Sequence, residues 1–96
     1  MSQKLNKDTQ ILYQAILSLK SEKEAQAFFR DLLTPQEIDT FSLRLKIAHL
    51  LHQGMSYARI SKLVNVSTTT VTRVSFWLKR GKGGYLLILN RLFPKK

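Results

Sequence analysis

The sequence has no cysteine, only two prolines and four glycines, and no acidic residue beyond Asp39. Without cysteine there is no disulfide framework, no thiolate chemistry and no zinc–thiolate site. Few chain breakers beside a hydrophobic content of 44% describe a chain that folds. Ninety-six residues make a single domain, with no room for two cores. Long apolar runs are missing too. The longest, Tyr85–Leu89, is far short of the ~18 residues a membrane span needs. The opening Met1-Ser2-Gln3-Lys4 is polar, and no apolar core with a small-residue cleavage site follows it. The expectation is a cytoplasmic protein without a signal peptide.

The missing acids are the most informative absence. Asp8, Glu22, Glu24, Asp31, Glu37 and Asp39 are all there are. Residues 1–39 carry five Lys/Arg against six acids, a net of −1. Residues 40–96 carry eleven Lys/Arg against none, a net of +11, and the two halves make the +10 of the whole. Such a surface suits a phosphate backbone, where neutralised phosphates release counterions and give affinity before any base is read. The plainer alternative is a solvated basic surface with membrane or ribosome contacts. The pattern inside the basic segment separates the two.

The punctuation reads all-helical. Asn6 caps a first helix to about Leu19. Ser21, with Glu24 three residues on, is a capping box for a second, through about Leu32. Thr34-Pro35-Gln36-Glu37 opens a third: Thr34 caps, Pro35 suits the first helical position, and Glu37 reaches back. That helix carries Ile38, Phe41, Leu45 and Ala48 at helical spacing and stops near Gly54. Ser56 caps a short helix through about Leu63, and Ser67 caps another to about Lys79. The run from Lys79 to Gly84 reads as a basic, flexible loop. A last helix, about Tyr85 to Leu92, ends before Pro94. The first and last helices are apolar most of the way round, which a small monomer has little interior to cover. A homodimer is therefore expected, with residues 1–33 and 85–93 as its core and residues 34–54 as a central helix. A compact monomer with some apolar surface is the alternative.

Residues 55–79 have the spacing of a helix-turn-helix. Ile60 and Val64 lie one turn apart, Asn65 sits at a tight turn where it tolerates a left-handed backbone, and Val66 points inward. Ser61 is small enough for close helix approach. Val71, Val74 and Leu78 form the inner stripe of the second helix. At about 100° per residue, Thr69, Thr72, Arg73 and Phe76 lie opposite that stripe, flanked by Thr68 and Lys79. Threonine hydroxyls can donate or accept, and their methyls can touch the thymine methyl. Thr68, Thr69 and Thr72 are the expected base contacts. Arg59, Lys62, Lys79, Arg80 and Lys82 are the expected phosphate contacts, each otherwise an ordinary solvated charge. Phe76 points away from the motif's core; burial against a partner subunit is its expected role, and insertion beside DNA the alternative.

These residues carry a resemblance. The chain resembles the bacterial tryptophan repressor superfamily of small dimeric helix-turn-helix proteins, and looks closest to its repressor-like YerC/YecD branch. The match runs through Leu32-Leu33-Thr34-Pro35-Gln36-Glu37, Arg44-Leu45-Lys46-Ile47, Leu50-Leu51, Met55-Ser56, Thr70-Val71-Thr72-Arg73, Ser75 and Leu78-Lys79. It implies an all-α dimer with intertwined subunits, reading a palindrome with recognition helices about one duplex turn apart. In that family, tryptophan sits between the central helix and the recognition helix. The resemblance places Thr34, Arg44 and Arg73 at that site. Two positions depart: Val74 stands where the family has glycine, and Trp77 where it has a serine that meets the ligand's amino group. Trp77 is large enough to take the place of a free indole, so the expectation is DNA binding that does not need tryptophan. A different small anion held by Arg44 and Arg73 is a second reading, and an ordinary core or interface tryptophan a third.

Other chemistry is set aside. His49 and His52 lie one turn apart, but two histidines make a poor metal site, and they read as helix-surface residues. Gly81-Lys82-Gly83-Gly84 lacks the ending of a phosphate-binding loop. No nucleophile–base–orienter set is recognisable, so neither enzyme activity nor a cofactor is expected. The expected function is a DNA-binding transcriptional regulator. The rivals are a basic helical RNA- or ribosome-associated protein and a protein-interaction adaptor.

Overall fold

The computed structural model describes residues 6–94. These contain six helices and no strand: α1 (Lys7–Ser18), α2 (Glu22–Leu32), α3 (Pro35–His52), α4 (Tyr57–Val64), α5 (Thr68–Arg80) and α6 (Gly84–Leu92). The chain divides into two compact units, Met1–Ile38 and Asp39–Lys96.

In the first unit the caps do what their sequence predicts. Asn6 accepts from the Thr9 N–H at 2.8 Å, and Ser21 accepts from the Glu24 N–H at 3.1 Å. Glu24 reaches back one residue further than a simple capping box, accepting from the Lys20 N–H at 2.9 Å. The Thr34–Glu37 box closes both ways: the Glu37 N–H donates to Thr34 Oγ1 at 3.1 Å and the Thr34 N–H to Glu37 Oε1 at 2.9 Å. Each such cap contributes about 1 kcal/mol. Caps define these helices, but burial does not, for neither α1 nor α2 has a buried residue. Ile11 and Leu17 are largely exposed, and Phe28 and Phe29 meet edge to face at 5.5 Å.

The core lies in the second unit. Ile47, Ala48, Ile60, Val71, Val74, Leu78 and Leu89 are buried, with Leu43, Leu45, Leu50, Leu51, Met55, Val64, Val66 and Tyr85 packed against them. Each fully buried aliphatic side chain contributes roughly 1.5–3 kcal/mol. The inner line of α3 differs from its sequence reading. Ala48 is buried as that reading expects and Ile47 is buried beside it, whereas Phe41 stays exposed and Leu45 is half-buried. Gly54 ends α3 with φ +92°, and the Met55 N–H closes on the Leu50 carbonyl at 3.1 Å, a left-handed terminator as expected.

Two further readings are corrected. His49 and His52 are half-buried rather than on the surface. His49 stacks on Phe93 at 3.8 Å, and His52 Nε2 is buried without a hydrogen-bond partner. The basic loop is also shorter than predicted, since Lys79 and Arg80 complete α5. Gly81 ends that helix, its N–H donating to the Trp77 carbonyl at 2.9 Å. A Cβ at Gly81 would lie 2.4 Å from that same oxygen, so no other residue fits without movement.

Candidate nucleic-acid interface

The turn between α4 and α5 is built as the spacing predicts. Asn65 takes the left-handed conformation, φ 57° and ψ 55°, and is the one non-glycine with positive φ among the described residues. The Val66 N–H returns to the Ser61 carbonyl at 3.1 Å, and the Ser61 hydroxyl donates to the Val66 carbonyl. Serine was expected here only for its size. Its hydroxyl also closes the turn. Ile60, Val71, Val74 and Leu78 lock the helix pair from inside, and Ser56 and Ser67 cap its two helices.

The outer face of α5 presents what the helical wheel predicts. Thr68, Thr69, Thr72, Arg73, Phe76 and Lys79 are all exposed. The Thr72 hydroxyl donates to the Thr68 carbonyl at 2.9 Å, so its hydrogen is engaged within the helix and its lone pairs remain open to a donor. Arg59 and Lys62 on α4, Arg80 at the end of α5 and Lys82 after it are exposed as well. All five predicted phosphate-contact residues therefore lie on the acid-poor unit and face solvent. The contact between Tyr57 and Ser75 escaped the sequence reading. Their hydroxyls meet at 2.5 Å across eighteen residues of chain, a separation at which no periodic pattern operates.

Of the family pocket positions, Arg44, Arg73, Val74 and Trp77 come together around one hollow of about 220 Å³. Thr40, Leu43, Ile47 and Thr70 complete its lining. Thr34 is engaged in the capping box of α3. The hollow is below the ~300–1,000 Å³ of typical small-molecule sites. Trp77 forms a wall of it and remains 44% exposed. Arg44 lies 5.8 Å from the centre of the Phe41 ring. Tyr85 is held above its ordinary pKa by partial burial, which the nearby Arg44 charge opposes. Among the described residues no group of three or more His, Cys, Asp or Glu could hold a metal ion, and no helix is long and apolar enough to cross a membrane.

A left-handed asparagine turn between two short helices, the second bearing exposed threonines, gives α4 and α5 the geometry of a helix-turn-helix. A family profile described as "Trp repressor protein" matches residues 7–93, and the chain belongs to that family. The chain is similar to the uncharacterised protein YerC of Bacillus subtilis (strain 168), 37% identical over 86 residues, covering 90% of this chain and 83% of YerC. It is also similar to a solved TrpR-like protein from Eubacterium eligens ATCC 27750: 37% identity, 95% of each chain and a TM-score of 0.88. A solved structure from Staphylococcus aureus gives 36% identity, 96% and 92% coverage, and again 0.88.

Proposed function

We propose that the protein is a sequence-specific, DNA-binding transcriptional regulator of the cytoplasm, acting as a homodimer on a palindromic site. The observation that carries this reading is the outer face of α5. Three exposed threonines stand at the start of a helix flanked by Arg59, Lys62, Lys79, Arg80 and Lys82, on a segment with no acid after Asp39. Threonines read base edges and the basic groups hold phosphates. The homodimer explains two helices, α1 and α2, that bury nothing in a single chain, and gives Phe76 an apolar partner. In that assembly residues 1–33 and 85–93 build the shared core of one domain.

Tryptophan is not required for binding in this reading. The Trp77 indole already takes part of the apolar wall, and Val74 adds bulk where the family has glycine. The test is selection of genomic DNA fragments by the purified protein near physiological salt, with and without L-tryptophan. A palindrome enriched in both conditions is the expected result. Enrichment only with tryptophan would restore a corepressor. Enrichment in neither, with structured RNA outcompeting duplex of equal length, would replace the DNA reading with an RNA-binding one.

A further inference from the structure

The helix pair is joined by one polar contact that its aliphatic pattern does not announce. Tyr57, the first residue of α4, meets Ser75 in the middle of α5, hydroxyl to hydroxyl, at 2.5 Å. The two ends of this bond live in different surroundings. Ser75 is 3% exposed, anchored among Val71, Val74 and Leu78, whereas Tyr57 is 37% exposed. Lys79 follows Ser75 by one helical turn and is exposed. The Tyr57 phenol is lowered from its ordinary pKa, first by the Ser75 hydrogen bond, against a smaller opposing effect of desolvation, and then by the charge and hydrogen bonding of Lys79. A phenol oxygen has one hydrogen and lone pairs, enough to serve Ser75 and an ammonium together. The phenol is thus anchored on a buried serine, and Lys79 lies one helical turn along α5 from that anchor, at the exposed rim of the motif.

We propose that Tyr57 is a positioning residue for backbone binding: braced on Ser75, its hydroxyl holds the Lys79 ammonium in place to meet a DNA phosphate. A free lysine loses much side-chain freedom when it is fixed at an interface, and one held beforehand loses less. The contact is to phosphate, so it sets register and affinity without reading bases. The inference rests on the DNA-binding reading above.

Tyr57→Phe keeps the ring and removes the oxygen. Duplex affinity is measured as a function of salt for the wild type, Tyr57→Phe, Lys79→Ala and the double variant, with thermal unfolding followed in parallel. Tyr57→Phe should bind roughly three- to tenfold more weakly, in line with one lost hydrogen bond, and equally so on every sequence. In the Lys79→Ala background the same substitution should cost little more. Ser75→Ala, which removes the brace and leaves both partners, should weaken binding in the same direction. Wild-type affinity in Tyr57→Phe overturns the inference. So does an undiminished loss in the Lys79→Ala background, which a loosened helix pair would give. Both results leave the DNA reading standing. A wild-type protein that ignores every duplex brings down the two together.

Discussion

Asn65 holds a backbone conformation that few side chains accept, and the angle between α4 and α5 depends on it. A β-branched residue there meets the following carbonyl, at a cost of about 1–2 kcal/mol. Asn65→Val should therefore lower the stability measured by urea unfolding by about that amount, while Asn65→Gly should leave it nearly unchanged. This residue was legible because its demand is local: a turn of this length needs positive φ, and asparagine is a common answer. Ser61 was only half legible. That its hydroxyl would reach the Val66 carbonyl depends on the finished turn. The Tyr57–Ser75 bond was not legible at all, since it joins two helices whose crossing had to be known first.

Among elements, α5 separates specificity from grip in the proposed DNA-binding reading. Its outer threonines and its basic end occupy different stretches, Thr68 to Thr72 against Lys79 to Lys82. Thr69→Ala and Thr72→Ala should reduce preference for the selected site over unrelated duplex, a lost base contact being worth about 1–3 kcal/mol, with little change in non-specific affinity. Reversing the charge of Lys79, Arg80 and Lys82 should do the converse. Competition binding with site-containing and scrambled duplexes checks both, and equal losses on every sequence for the threonine variants would remove them from the reading face. The helices themselves were readable from their starts: Asn6, Ser21, Thr34, Ser56 and Ser67 cap as their positions demand. The inner line of α3 was not, because its apolar residues surround the helix. Ala48 was on the expected line, but Ile47 joins the core cluster through packing with later elements, a fact with no local signature.

At the scale of the whole molecule, the exposed apolar side chains stand out. Leu17 is 83% exposed, Leu92 59% and Leu87 50%, more than a 96-residue protein ordinarily leaves to water in one chain. Sedimentation equilibrium should give twice the 11.1 kDa chain mass, and Leu87→Glu should shift it toward the monomer. A wild-type monomer at micromolar concentration would refute the homodimer. The excess of apolar surface was readable from helices apolar on every side, but which surfaces would meet in the proposed homodimer has no signature in one chain.

The boundary between the two units falls at Asp39, which is also the last acid. Residues 39–96 hold that one acid against eleven Lys/Arg, while residues 1–38 balance five against five. Like charges crowded into one compact unit push against its own fold. Added ions relieve that pressure, and the same ions compete for the phosphates that the unit would hold. Ionic strength therefore pulls folding and binding in opposite directions: the saltier the solution, the firmer the hand and the weaker its grasp.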